Sequence, residues 1–323
     1  EFQTNYRLQE WSTTTFGLEY KKRQATTNTF RGDQRNLAYY LQEQIRFFDG
    51  RLTLIPGVRL DDHQAFGTEW SPAFSAAYLL KETGTKIKMG YSEGFRAPSL
   101  NELFFPSSNP LCPGFGNRDL GPEKSWELNA GVEQDLFSER VKVTATYFHR
   151  EVQDLIEARP TVPPPPCPLP IVFQAQNVGR ARFDGVEWGI NIKMLADLSL
   201  GANYTYLDWD TQNGRLVRRP RHRGSVTLNY LHNGFHINLN ANLIGSRDDF
   251  RAAPPFGNII KPGYLKFDLA SSYDLPVRLP FVKEVALFGK IENLFNKKYE
   301  EADGFRARPL NFLIGIRGVF GRE

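Results

Sequence analysis

The 323-residue chain has only two cysteines and two methionines. Two thiols cannot complete a four-ligand zinc site. No stretch of about 18 uncharged apolar residues occurs, which excludes a membrane-spanning helix. A membrane strand needs only about 9–11 alternating residues and is not excluded. Charge of one sign is also lacking: 40 basic and 36 acidic residues leave a net charge of +4, too balanced to imply a nucleic-acid partner. The opening "EFQTNYRLQEW" has neither the basic nor the apolar region of a secretory signal. The expectation is that such a segment was cleaved or that the chain starts late.

Aromatic residues are abundant, with 25 Phe and 13 Tyr in a chain whose mean hydropathy is −0.44. Many aromatics in a chain that is polar on average point to alternation rather than a thick apolar core. In "LSLGANYTY", Leu198, Leu200, Ala202, Tyr204 and Tyr206 share one face; in "FHINLNANL", Phe235, Ile237, Leu239, Ala241 and Leu243 oppose His236, Asn238, Asn240 and Asn242. The same period runs through 126–132, 141–147, 186–192 and, at the end, Leu310 to Phe320. It predicts strands near 13–24, 37–48, 51–62, 69–80, 85–94, 123–136, 139–157, 173–194, 197–209, 222–232, 235–247, 263–275, 283–296 and 308–320, about fourteen, with one more before residue 12.

Connections near Asp49-Gly50, 81–84, Phe137-Ser138, Ala196-Asp197 and Asn233-Gly234 are short, whereas 25–36, 95–122, 158–172, 209–221, 248–262 and 297–307 are long. Strict alternation of short and long connections is what an outer-membrane barrel requires, with tight periplasmic turns and extended outer loops. The fold class expected is therefore all-β, a transmembrane antiparallel barrel. Strands 139–157 and 173–194 exceed what a bilayer needs and carry the Pro-rich segment above it. Tyr39, Tyr40, Tyr91, Tyr147, Trp209 and Tyr230 fall near strand ends, as interfacial girdles would. Glu127, Asn129, Glu133, Asn238, Asn240 and Asn242 would line the polar inner wall. Cys112 and Cys167 sit in the Pro-rich loops "PLCPGF" and "PPPPCPLP". A loop-to-loop disulfide in an oxidising compartment is the preferred reading, free thiols the alternative.

"YSEGFRAPSLNELF", "NRDLGPEKSWELNAGVE", "NVGRARFDGVEWGI", "KIENLFNKKYEEADGF" and the terminal "FLIGIRGVF" follow one another in an order that resembles the barrel of TonB-dependent outer-membrane receptors. The resemblance covers nearly everything from about residue 37. It implies a 22-stranded barrel filled by an N-terminal plug, importing scarce nutrients with energy from TonB. These residues would then be about 14 C-terminal strands of such a barrel, one domain over 1–323, with the plug and its TonB box absent from this chain. The location implied is the outer membrane of a Gram-negative-type bacterium. Phe320 matches the terminal aromatic of the signal read by the barrel-assembly machinery, although Gly321, Arg322 and Glu323 follow it.

Gly94 permits a bend at the rim, and Pro98 helps stop the ladder. Arg96 has Glu102, Glu123 or a lipid phosphate as partners. Asn293 and Asn296 can satisfy backbone groups where a strand leaves the membrane. The basic stretch "RLVRRPRHR", Arg215 to Arg223, reads as a solvated loop, or as a contact with lipopolysaccharide phosphate. "DDHQ", Asp61 to Gln64, is placed in an outer loop. Adjacent residues of an extended segment point apart, so no catalytic set forms there, and two carboxylates alone make a poor calcium site. No catalytic residue, cofactor or resident metal is expected.

Haem receptors of the family carry a histidine between the boxes that here read "FRAP" and "NRDL"; this chain has none there. That leaves ferric siderophores, cobalamin or another metal chelate. Phe104, Phe105, Phe115, Arg247, Phe250, Arg251 and Phe256 are the outer-loop residues able to stack on or pair with an aromatic anionic chelate, with loop self-packing preferred for any single one. The reading from another class is a self-contained fourteen-stranded diffusion pore.

Overall fold

The computed structural model describes residues 1–107, 109–212, 216–251, 254–276 and 281–321. Arg215, Arg322 and Glu323, singled out above, lie outside the described residues. The first half comprises β1 Phe2–Gln9, β2 Ser12–Thr26, β3 Arg31–Phe47, β4 Leu52–His63, β5 Gly67–Leu80, β6 Thr85–Arg96, α1 Leu100–Phe104, β7 Glu123–Leu136 and β8 Val141–Thr161. The second comprises β9 Val172–Leu195, β10 Leu198–Thr211, β11 His222–His232, β12 Phe235–Ile244, β13 Arg247–Phe250, β14 Asn258–Lys261, β15 Tyr264–Asp274, β16 Val282–Glu292, β17 Glu300–Ala302, β18 Phe305–Arg306 and β19 Asn311–Phe320.

One antiparallel sheet of 15 strands runs in chain order from β1 to β12, then through β15 and β16 to β19. The hairpins β13–β14 and β17–β18 branch from it at one end. Among the described residues no pairing joins β1 to β19. The register aligns like with like across strands. Ile190 pairs with Ala202, Ala202 with Val226, Val226 with Ala241 and Ala241 with Phe267, while Gly189, Asn203, Ser225, Asn242 and Lys266 form the neighbouring polar row. A slip of one residue would exchange the two faces, so the pattern fixes the pairing.

The apolar face packs on no second layer, since the other sheets among the described residues have only two strands each. Phe312, Ile314 and Ile316 are 71–78% exposed. Such a face is made for a hydrocarbon solvent. On it Trp188 and Tyr204 stack 5.6 Å apart and Tyr91 lies 6.3 Å from Trp126 near one set of strand ends, with Phe235 and Tyr273 4.2 Å apart near the other. Tyr40 does not belong to these girdles. Being adjacent to Tyr39, it points to the polar face, where it covers Gly17 and its hydroxyl donates to Gln3 at 2.9 Å.

Short and long connections do not alternate as strictly as expected. The β2–β3 connection is only 27–30 and the β4–β5 connection only 64–66, so "DDH" lies on β4 rather than in a loop. Asp61 and His63 share the polar face there and Asp62 points away. Residues 248–262 and 297–307 hold the two small hairpins. At the opposite end the Asn233-Gly234 turn, with both φ values positive, has the mirror-image geometry that two-residue hairpins require.

The rim has its own small core. β8 and β9 stay paired up to Thr161 and Val172, past a bulge near Asp154. Leu103, Leu120 and Ala175 are buried together, with Phe104, Phe115 and Ile156 against them. Cys112 and Cys167 are joined by a disulfide that ties the 97–122 loop to the tip of this hairpin. Ser99 and Glu102 form a capping box at α1. Arg96 ends β6 by binding two carboxylates, Glu123 at 2.6 Å and Glu102 at 3.0 Å, so it is a protein-paired corner. Burial opposes ionisation of Glu102, yet Arg96 and the Ser99 N–H and hydroxyl hold its carboxyl below the ordinary range.

Two outcomes follow. Cys112→Ser should speed proteolysis within 106–119 several-fold while the sheet keeps its heat-resistant mobility in detergent gels, because such a tether contributes about 2–4 kcal/mol; unchanged cleavage would count against it. The lowered Glu102 carboxyl stabilises the loop fully above its unfolded value of about 4.3 and ceases to do so as pH falls through the folded value. Acid should therefore loosen α1 before the sheet, measured by hydrogen exchange corrected for intrinsic rates, and Glu102→Gln should be loose already at neutral pH.

Candidate functional site

The residues expected to meet a ligand separate into three groups. Phe104 and Phe115 pack into the loop core, Phe104 also covering Gly32 and lying 5.3 Å from the Arg118 guanidinium. Both are corrected to loop packing: Phe104 at the end of α1 and Phe115 in the segment after it lay their rings against the cluster of Leu103, Leu120 and Ala175. Phe105 is half-exposed, edge-on to Phe30 at 6.3 Å. Phe250 and Phe256 lie parallel at 6.4 Å near the tip of the β13–β14 hairpin, and both are exposed. The Arg251 N–H bonds Gly257 O there at 2.8 Å.

Arg247 is the third case. Its side chain is 1% exposed, because it lies at the base of the hairpin under β17. Nη2 donates to Glu300 O at 2.5 Å and Glu301 O at 3.3 Å, and its guanidinium carbon sits 5.7 Å from the centre of the Tyr264 ring. Its Nη1 is buried without a hydrogen-bond partner. It is thus part of the scaffold and not of the exposed surface.

Asp249, fully buried, clasps the two hairpins. Its Oδ1 accepts from Arg218 Nε at 2.9 Å and from the Phe250 N–H at 2.8 Å, and its Oδ2 from the Asp303 N–H at 2.7 Å. Burial alone would raise this carboxyl, but the two backbone donors and Arg218 bring it below its ordinary value. Beside it Lys261 Nζ bridges Glu300 at 2.5 Å and Asp303 at 2.6 Å. Those carboxylates raise the Lys261 ammonium, which in turn lowers Glu300. Alternation gives no sign of this clasp, because Asp249 lies on the four-residue β13 and Asp303 in the turn between β17 and β18, both inside long connections with no readable period.

Asn293 supplies the other anchor. It is buried at positive φ, its Oδ1 accepts from Lys297 N–H at 2.7 Å, and its Nδ2 donates to Lys297 O and Arg308 O at 3.0 and 3.2 Å. Asn296 Oδ1 accepts from Leu310 N–H at 3.0 Å. These amides occupy backbone groups that have left the ladder, as their position suggested.

Two cavities flank the stacked rings of Tyr264 and Tyr299, which are 4.1 Å apart. One, about 950 Å³, is lined by Lys297, Lys298, Arg306 and Arg308 among others. The other, about 460 Å³, is lined by Arg218, Arg223, Arg247, Lys266 and Glu301. A third, about 450 Å³, opens on the polar face between β2 and β6, where Arg59 pairs with Asp61 at 2.8 Å and Asn36 Nδ2 donates to the same carboxylate at 2.7 Å. Asp61 is therefore already neutralised by protein groups. Among the described residues no cluster of three or more His, Cys, Asp or Glu could hold a metal ion.

The family described as TonB dependent receptor-like, beta-barrel matches residues 1–294; β19 lies beyond the match and pairs with β16 in the same sheet. The chain is 24% identical over 304 residues to the vitamin B12 transporter BtuB of Vibrio vulnificus, covering 88% of this chain and 43% of that protein. It is 27% identical over 293 residues to the ferric enterobactin receptor PirA of Pseudomonas aeruginosa, covering 84% and 38%. It thus spans less than half the length of these relatives. A crystal structure of the ferric enterobactin receptor PfeA of Pseudomonas aeruginosa superposes with a TM-score of 0.75 at 20% identity, over 97% of this chain and 53% of that one. The siderophore receptor PirA of the same organism gives 0.73 at 21% identity, over 98% and 56%. These likenesses show the fold: the 15 strands follow the wall of a receptor barrel. The chain belongs to the TonB-dependent receptor family and forms part of its outer-membrane β-barrel.

Proposed function

We propose that residues 1–323 are one barrel domain of an importer that captures a metal chelate at its outer rim and passes it inward with energy from the TonB complex. The observation that carries this reading is the rim above the polar face. There a buried clasp holds two hairpins around aromatic, cation-lined cavities, an arrangement suited to an anionic, partly aromatic cargo. Ferric siderophores and cobalamin are the cargo classes suggested by the relatives' names. Phe250, Arg251 and Phe256, grouped at the hairpin tip, are the ligand-facing candidates of the original set, with Phe105 a peripheral one.

Energy from TonB would reach the cargo through a plug that is no part of these residues. Lipopolysaccharide and outer-membrane lipid would meet the apolar face and its girdles, and the barrel-assembly machinery would read Phe320, which stands at the end of β19. The family match and relatives that are named a transporter and a receptor support the importer over the passive pore.

The test is uptake of radiolabelled iron or cobalt chelates by cells producing the intact receptor. Uptake should fall to background when TonB is deleted. Uptake that persists without TonB, or steady ion conduction by the 323-residue chain alone in a planar bilayer, would favour the pore.

A further inference from the structure

We propose that a trough in the lipid-facing wall, between β9 and β15, seats an acyl chain of a phosphorylated glycolipid of the outer leaflet, with the basic stretch at the head of β11 receiving its phosphate. This is a fixed lipid site, distinct from general wetting of the apolar face. It stands independently of what the receptor carries.

Successive rows of cross-strand neighbours shape the trough. In one row Trp188, Tyr204, Gly224, Leu243 and Leu265 lie side by side across β9, β10, β11, β12 and β15. Large side chains thus stand on both sides of a position that has none. In the next row toward the Asn233-Gly234 turn, Ala202, Val226 and Ala241 keep the floor low between Ile190 and Phe267. The row after that, Ile192, Leu200, Leu228, Leu239 and Leu269, is full-sized throughout and closes that end. Toward the rim the neighbour of His222 is Gly245, whose N–H bonds His222 O at 2.8 Å, and with no side chain there the trough is open. The cavity so formed is about 540 Å³. By contrast Ala130, on the same face, has Met89 and Tyr147 beside it. Gly224 has no left-handed φ to explain its choice; a glycine inside a strand forfeits packing and often marks the close approach of another molecule.

Hydrocarbon outside the wall is as apolar as the wall itself, so withdrawal from water contributes nothing to seating a chain here. Close van der Waals contact and a fixed headgroup must do so. An unfilled trough loses dispersion contacts along its lining, and a flexible acyl chain restores them. The open end supplies the headgroup contacts. His222 Nδ1 lies 2.6 Å from the Tyr204 hydroxyl, and Arg219 and Arg221 immediately precede it in the chain. Arg219 is exposed, with no acidic partner among the described residues. Arg221 pairs with Asp208, both half-exposed, and such a surface pair is weak enough to yield to a phosphate. The other cations of the stretch are engaged elsewhere: Arg218 is held by Asp249, and Arg223 lines the cavity beside Lys266. An apolar trough with cations at its open end fits a lipid whose chains run inward from a phosphorylated head.

Native mass spectrometry of the intact receptor, stripped of lipid in detergent and then titrated, tests this with three probes: bisphosphoryl lipid A, the same lipid with its phosphates removed, and dipalmitoyl phosphatidylglycerol. Bisphosphoryl lipid A should bind one per receptor, about tenfold or more tighter than either other probe. Ala202→Leu with Ala241→Leu raises the floor and should weaken it by about tenfold. Ala76→Leu, on the same face between Leu54 and Met89, should leave it unchanged. Arg219→Gln should weaken it several-fold and Arg219→Lys should retain most of it. Heat-resistant gel mobility verifies folding of each variant.

Equal binding of phosphatidylglycerol or of the dephosphorylated lipid would overturn the proposal. So would an affinity unchanged in the raised-floor variant, or one reduced as much by Ala76→Leu. If the double variant does not assemble, Ala202→Leu alone and Arg219→Gln decide the matter by the same criteria.

Discussion

The hydrogen-bonded ladder is what this structure cannot do without. In hydrocarbon a peptide group has no water to fall back on, so every N–H and C=O at membrane depth needs another strand. Fifteen strands in simple chain order provide those partners between neighbours, and the pleat then sorts side chains to two faces. Row after row of Ala, Val, Leu and aromatic side chains is left with lipid for a neighbour, opposite rows of Asn, Ser, Lys and Glu. The usual economy of a protein is thereby inverted: apolar residues are exposed and the buried set is small and partly polar.

Where the ladder stops, something else must take over the backbone groups, and the chain does this with polar side chains that are themselves paired. At the end of β6 it is Arg96 with its two carboxylates and the capping box of α1. At the end of β16 it is the Asn293 amide, and between the small hairpins it is the Asp249 carboxylate. Each sits where a strand leaves its neighbour, and each is surrounded by donors or acceptors from segments far away in sequence. The rim is therefore a set of fixed corners with exposed residues suspended between them.

The period-two pattern made the strands, their inward and outward residues and most turns legible from the chain alone. It also placed the two long strands and the Cys-bearing loops correctly. It overstated the regularity of the connections, because a three-residue hairpin such as 64–66 leaves no compositional trace that separates it from strand. The rim was much less readable. Phe104 and Phe250 look alike in sequence, yet α1 turns one ring into a core while an exposed hairpin tip presents the other. Arg247 likewise gives no sign that it is buried, since its partners are the carbonyls of Glu300 and Glu301, about fifty residues on.

The β8–β9 ladder continues well past the girdle. From Tyr147 to Thr161 the hairpin rises about 45 Å along its own axis at roughly 3.3 Å per residue, and its tip is bonded through sulfur to the neighbouring loop. A two-stranded ribbon braced at both foot and summit behaves as a stiff post and not as a trailing coil. Its height thus sets a fixed obstacle on its own side of the rim, one that a coil of the same length would not present.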